Sequence, residues 1–152
     1  MGQIKDNDEI RLTPIQQFIR CRVQHYNPRI YWKRRNIVVD HKSRVPKIIK
    51  YYYLYYLKKC DAMNNASLGT HLGFGATFKA VPSFPYGLYG IVLSHNVSIG
   101  EGAVIFHQVT IGEGKNGAPQ IGDYVTIGAG AKIVGNVKMK PCHHRCRCGG
   151  DL

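Results

Sequence analysis

Residues 93–112 read "LSHNVSIGEGAVIFHQVTIG", and after an interruption the same phrase resumes as "IGDYVTIGAGAKIVGNVK" over residues 121–138. The stretch falls into sixes. An aliphatic opens each one, at Leu93, Ile99, Ile105, Ile111, Ile121, Ile127 and Ile133, then Met139. A small or β-branched residue holds the fifth place, at Val97, Ala103, Val109, Val125, Ala131 and Val137. A helix of 3.6 residues per turn cannot keep a period of six on one face, and a plain strand alternates by two. The pattern is that of a β-helix: each six is a short strand plus a turn, and three sixes close one triangular coil of eighteen residues. The opening aliphatics stack inside, each burial contributing roughly 1.5–3 kcal/mol, and glycines supply the tight corners. Upstream, the segments beginning at Leu72, Phe78 and Phe84 read as a less regular first coil.

The chain divides accordingly: a basic, aromatic-rich, mostly helical leader over 1–64, a mainly β solenoid over 65–139, and a Cys/His-rich tail over 140–152. A net charge of +12 on 152 residues belongs chiefly to the leader, whose clusters are "YWKRRN" (31–36) and "KIIKYYYLYYLKK" (47–59). Basic residues interleaved with aromatics suit an anionic surface. No nucleic-acid motif accompanies them, so nucleic acid is not expected and contact with a membrane surface stays open. The simpler expectation is a helix that packs its tyrosines on the next element and leaves its lysines in water. No stretch reaches the roughly 18 apolar residues of a membrane span, and the first ten residues carry no apolar signal core. The expected compartment is the cytoplasm, where disulfides are unusual.

The segments "GIVLSHNVSIGEGAVI" (90–105), "VTIGEGKNG" (109–117) and "IGAGAKIVGN" (127–136) resemble the hexapeptide-repeat acyltransferases. Within them, the chain is similar to the serine acetyltransferases and to relatives that acetylate polysaccharide hydroxyls. The resemblance implies a left-handed parallel β-helix, a homotrimer, and acetyl-coenzyme A lying between neighbouring subunits. Moving an acetyl group from a thioester to a hydroxyl needs a base for the hydroxyl proton and donors for the oxyanion. His95 stands in the Gly-Ile-x-Leu-x-His setting of the family's catalytic histidine, and imidazole titrates in the right range. His107 holds the same third place two sixes later and is the second candidate. Twelve residues separate the two, so they fall on different sides of a coil and form no joint metal site.

Glu113, one coil beyond His95, is a candidate to orient it. For the acyl donor, Gly112, Gly114 and Lys115 at the start of loop 113–120, with Gly128, Ala129 and Lys132, match the family's groove. No resident metal is expected. The family has Asp where this chain has Ser94, and a loop histidine where it has Ala118. Both hold serine there, so the acceptor stays open between serine and a sugar hydroxyl.

The tail, "KMKPCHHRCRCGGDL" (138–152), admits two readings. Cys142, His143, His144, Cys146 and Cys148 could be zinc ligands, but the second half of the usual paired spacing is missing. Alternatively, codons for residues 140–151 read one base later permit Asn-His-Val-Ile-Ile-Gly-Ala-Gly-Ala-Val-Val-Thr, a further hexapeptide in phase. On this frameshift reading the coil opened by Ile133 and Met139 lacks its third side, and the chain is a truncated, impaired member of the family. A binding module working through the leader or a zinc tail is the remaining alternative.

Overall fold

The computed structural model describes residues 13–23, 25–141 and 147–148. It is a parallel β-solenoid of about three turns behind three helices: α1 (Pro14–Val23), α2 (Pro28–Val39) and α3 (Lys47–Met63). Proline at the first turn of α2 costs no hydrogen bond there, and Asn27 caps it through Oδ1 to the Ile30 amide. No described helix is long and apolar enough to cross a membrane.

The solenoid strands are two or three residues each. Along one side run β1 (Ser67–Leu68), β5 (Val92–Leu93), β8 (Thr110–Gly112) and β11 (Lys132–Val134). A second side stacks β4 (Thr77–Phe78), β6 (Ser98–Ile99) and β9 (Gln120–Ile121). The third carries β7 (Val104–Ile105), β10 (Thr126–Ile127) and β12 (Arg147–Cys148). All these pairs are parallel, with Leu93 facing Ile111 and Ile105 facing Ile127. The seven opening aliphatics from Leu93 to Ile133 are buried, and Met139 packs against them half-buried.

The first coil differs from its expected phase. Leu68, not Leu72, pairs with Leu93 and fills the core position, while Phe78 lies beneath Ile99 as expected. The shift arises because β2 (Thr70–His71) and β3 (Phe74–Gly75) form an antiparallel hairpin inserted at the corner, with Leu72 in its turn. A second departure lies at the far end. The backbone of β12 pairs with β10, Thr126 to Arg147 and Ile127 to Cys148, so the fourth coil does have a strand on its third side. An open parallel edge presents unpaired N–H and C=O groups that a backbone satisfies whatever its side chains. Cys142, His143, His144 and Cys146 lie outside the described residues.

The leader follows its expectation in part: Tyr53 and Tyr56 of α3 pack half-buried against the core, whereas Tyr51, Tyr52 and Tyr55 are exposed. The fully buried aromatics of the leader are Tyr26, Tyr31 and Trp32. Helices and solenoid share one hydrophobic core running from Tyr26 to Ile133. Arg35 of α2, 3% exposed, crosses the boundary. Its Nε donates to Thr70 Oγ1 (3.1 Å), and Nη2 donates to the carbonyls of Ala76 (2.6 Å) and Leu68 (3.4 Å). Its guanidinium lies 4.6 Å from the Phe78 ring and 5.3 Å from that of Trp32. Burial pulls its pKa down to about 10, so it stays charged at neutral pH. Nearby, Tyr31 donates to Asp61 Oδ1 at 2.6 Å, and burial holds the Asp61 carboxyl above the usual carboxylate range.

Cys60 closes the helical layer. Its thiol donates to the His25 carbonyl at 2.8 Å, and burial, then the Asp61 charge, push its pKa up to about 12. Its thiolate fraction near pH 8 is therefore about 10³-fold below that of an ordinary thiol. Alkylation of the folded chain, followed by peptide mass spectrometry, should label half-exposed Cys21 and spare Cys60. Equal labelling rates would contradict the packing described here.

Candidate functional site

Two corners of the solenoid hold the candidate residues. At the first, the chain turns after β5 through Ser94, His95 and Asn96. Beneath it Gly69, at φ +56°, brings the first coil so close that a Cβ would lie 2.7 Å from the Ser94 carbonyl oxygen and 3.0 Å from the His95 Cα. Only glycine tolerates both that approach and that conformation. The β2–β3 hairpin springs from this point and lays two rings against His95. His71 and Phe74 stack on each other (4.9 Å, 11°), and the His95 ring meets each edge-on at 5.7 Å.

The hairpin is held from the leader side. The amide of Gly73 at its tip donates to the Val38 carbonyl of α2 (2.9 Å), and Arg35 grips its base through Thr70 and Ala76. Desolvation, then the charges of Lys58 and His95, lower the His71 pKa below its ordinary value. The lowered pKa favours the neutral form of His71.

One coil above lies Glu113, whose Oε2 accepts from Asn96 Nδ2 at 2.9 Å. Its described hydrogen bond goes to this amide, next to the histidine it was a candidate to orient. Gly112 ends β8, and Gly114 and Gly117 exchange two backbone hydrogen bonds (2.9 and 3.2 Å) that close the loop into a tight tongue. Lys115 is exposed near its tip. A Cβ on Gly114 would lie 2.8 Å from the Gly135 Cα of the next coil. His95, Gly112, Gly114 and Lys115 therefore share one corner.

His107 belongs to the corner after β7. The Tyr86 ring meets it edge-on at 5.1 Å, and its carbonyl accepts from the Gly130 amide of the coil above (3.0 Å). Its Nδ1 is buried without a hydrogen-bond partner among the described residues. Gly128 and Ala129 stand in that upper turn, and Gly130, at φ +73°, has open space where a Cβ would point. Lys132 is exposed on β11. The expected acyl-donor residues thus divide between two corners of one subunit. Among the described residues, no three His, Cys, Asp or Glu side chains converge as a metal site would require.

His71 and Phe74 belong to the site and were not among the expected residues. They lie outside the period of six. The available signal was the irregular "THLGFG" (70–75), two short runs about a glycine, which is the composition of a hairpin turn.

No protein-family model matches the sequence, and no curated protein matches it. Among solved structures, the chain is similar to serine acetyltransferase isoform 3 from Entamoeba histolytica in complex with cysteine. Identity is 24% and the TM-score 0.45, over 63% of this chain and 36% of that one. It is also similar to serine acetyltransferase 1 of the same organism in complex with L-cysteine, at 22% identity and TM-score 0.44, over 62% of this chain and 44% of that one. The chain thus spans less than half the length of either protein.

Proposed function

We propose that the chain is an acetyl-coenzyme A-dependent O-acetyltransferase acting on a saccharide hydroxyl, with His95 as general base. The observation that carries this reading is the half-buried His95 under a glycine-rich tongue and beside an exposed aromatic platform. As the acceptor oxygen attacks the thioester carbonyl carbon, His95 takes the hydroxyl proton. The tetrahedral oxyanion then collapses, the C–S bond breaks, and the imidazolium returns its proton to the departing thiolate. Backbone amides of the tongue hold the pantetheine, and Lys115 and Lys132 meet phosphate.

A homotrimer that sets the His95 corner of one subunit against the His107 corner of the next would unite the two glycine sets, and this supports the trimer. His107 then faces the groove as a wall.

The acceptor follows from the platform. Phe74 is 52% exposed next to His95, and an apolar ring face beside a base suits the C–H face of a sugar ring better than the small, charged serine zwitterion. Where the family has an aspartate before the catalytic histidine this chain has Ser94, whose hydroxyl offers no charge to a serine ammonium. Thiol release from acetyl-coenzyme A across a panel of acceptors should favour saccharides. Phe74→Ala should raise KM for the saccharide about five-fold, consistent with a stacking contact of about 1 kcal/mol. Efficient, saturable turnover of free serine at low millimolar concentration would sink the saccharide assignment.

A further inference from the structure

The leader carries a charged face that the reaction at His95 does not use. Between residues 13 and 64 stand twelve Lys and Arg against Asp40 and Asp61. Among the described residues the one ion pair is Lys79–Asp123, in the solenoid, so the leader's charge is not neutralised in this way. Arg35 and Lys50 turn inward onto protein oxygens, but Arg29, Lys33 and Arg34 do not. They border an open groove of about 340 Å³ between α2 and α3, whose other walls are Ile30, Ile37 and Tyr53. The Arg34 guanidinium lies over the rings of Tyr56 (4.0 Å) and Tyr53 (5.3 Å), which fixes its plane and leaves its N–H edge to a ligand.

The groove continues into an apolar stripe. Tyr53 touches Tyr52, with ring centroids 6.1 Å apart. Ile48, Tyr52 and Tyr55 follow at i, i+4 and i+7 along α3, and they are 80%, 62% and 66% exposed. Lys47 and Lys59 flank them, both exposed. Cations beside exposed tyrosines and an aliphatic are what the boundary between headgroups and acyl chains accepts: rings sit at headgroup level while long basic side chains reach phosphate.

We propose that the α2–α3 face is a docking surface for an anionic lipid membrane, with the groove of Arg29, Lys33 and Arg34 receiving headgroup phosphates. Charge selects this occupant. A second copy of the face would bring like charges together. A nucleic acid would satisfy the cations but leave Ile48 in water, and a free soluble anion would leave the whole stripe there.

The test is flotation of the intact chain with vesicles of phosphatidylcholine alone or with roughly one third phosphatidylglycerol. Expected is partition into the anionic vesicles that weakens as salt is raised, with little into the neutral ones. Arg29→Ala and Lys33→Ala should each lower that partition about five-fold, and Tyr52→Ser with Tyr55→Ser should lower it further even at high salt. Lys138→Ala, in the solenoid, should leave it unchanged.

Equal partition into both vesicles, or none into either, overturns the proposal without any variant. So does a double Arg29→Ala, Lys33→Ala chain that melts normally yet binds as before. Tighter binding to duplex or single-stranded nucleic acid than to the anionic vesicles, indifferent to Tyr52 and Tyr55, overturns it as well. Self-association abolished by the tyrosine changes would assign the face to a second copy and has the same consequence.

Discussion

His95→Ala is expected to lower the acetylation rate by about 10²–10⁴-fold while shifting the melting temperature little. The side chain is half-buried at a corner, touches two rings, and contributes nothing to the stacked core. On the proposed reading acyl-donor binding rests on backbone amides and lysines, so the loss should fall mainly on kcat. The alanine chain should be left with a slow reaction in which hydroxide or water is the base. His107→Ala should cost far less in kcat and act on donor binding. A chain lacking His95 that keeps near-normal turnover removes this residue from the role of base.

Arg35→Ala carries the largest expected effect on stability. The change deletes hydrogen bonds to Thr70, Leu68 and Ala76, leaves their oxygens buried, and opens space against Trp32 and Phe78. Removing one member of such a buried charged network costs about 3–5 kcal/mol, which for a chain of this size corresponds to roughly 10 °C in Tm. Arg35→Lys should recover little, because a single ammonium cannot reproduce the fork that reaches separate carbonyls. The damage should also reach the site, since the same guanidinium grips the base of the hairpin that lays His71 and Phe74 against His95. KM for the acceptor should therefore rise in any Arg35 variant that still folds. A variant melting within 2–3 °C of wild type, a shift worth only about 1 kcal/mol, would show that the clamp bears no weight.

The repeat was legible because a period of six admits few solutions. Once Leu93, Ile99 and Ile105 are seen to recur, burial on the inner face follows, and the structure buries all three. The first coil was less legible. Its hairpin interrupts the count, so Leu72 was assigned an inner place that Leu68 occupies. The interruption is also where the candidate site lies: His71 and Phe74 stand outside the pattern of sixes that revealed the solenoid. Arg35 was equally hidden, one of fourteen basic residues in the first sixty, with no local feature marking it as buried. Its environment is made by Thr70 and Ala76, more than thirty positions away. The glycine sets were recognised singly, yet their division between two corners depends on how many residues each side consumes.

A stack of near-identical sixes has a weakness that the clamped first coil removes. Sliding any part of the chain by six residues would still put an aliphatic inside every corner, so the inner pattern alone does not define which six sits above which. Phase has to come from something that occurs once. The hairpin, tied to α2 at Gly73 and gripped by Arg35 at its base, occurs once, and it fixes Leu68 under Leu93. The tongue closed by Gly114 and Gly117 marks a second unique point two coils further on. Because a ribosome delivers the helical cap first, the origin of counting exists before the ambiguous repeats emerge, and each later coil is laid down against a neighbour already in phase.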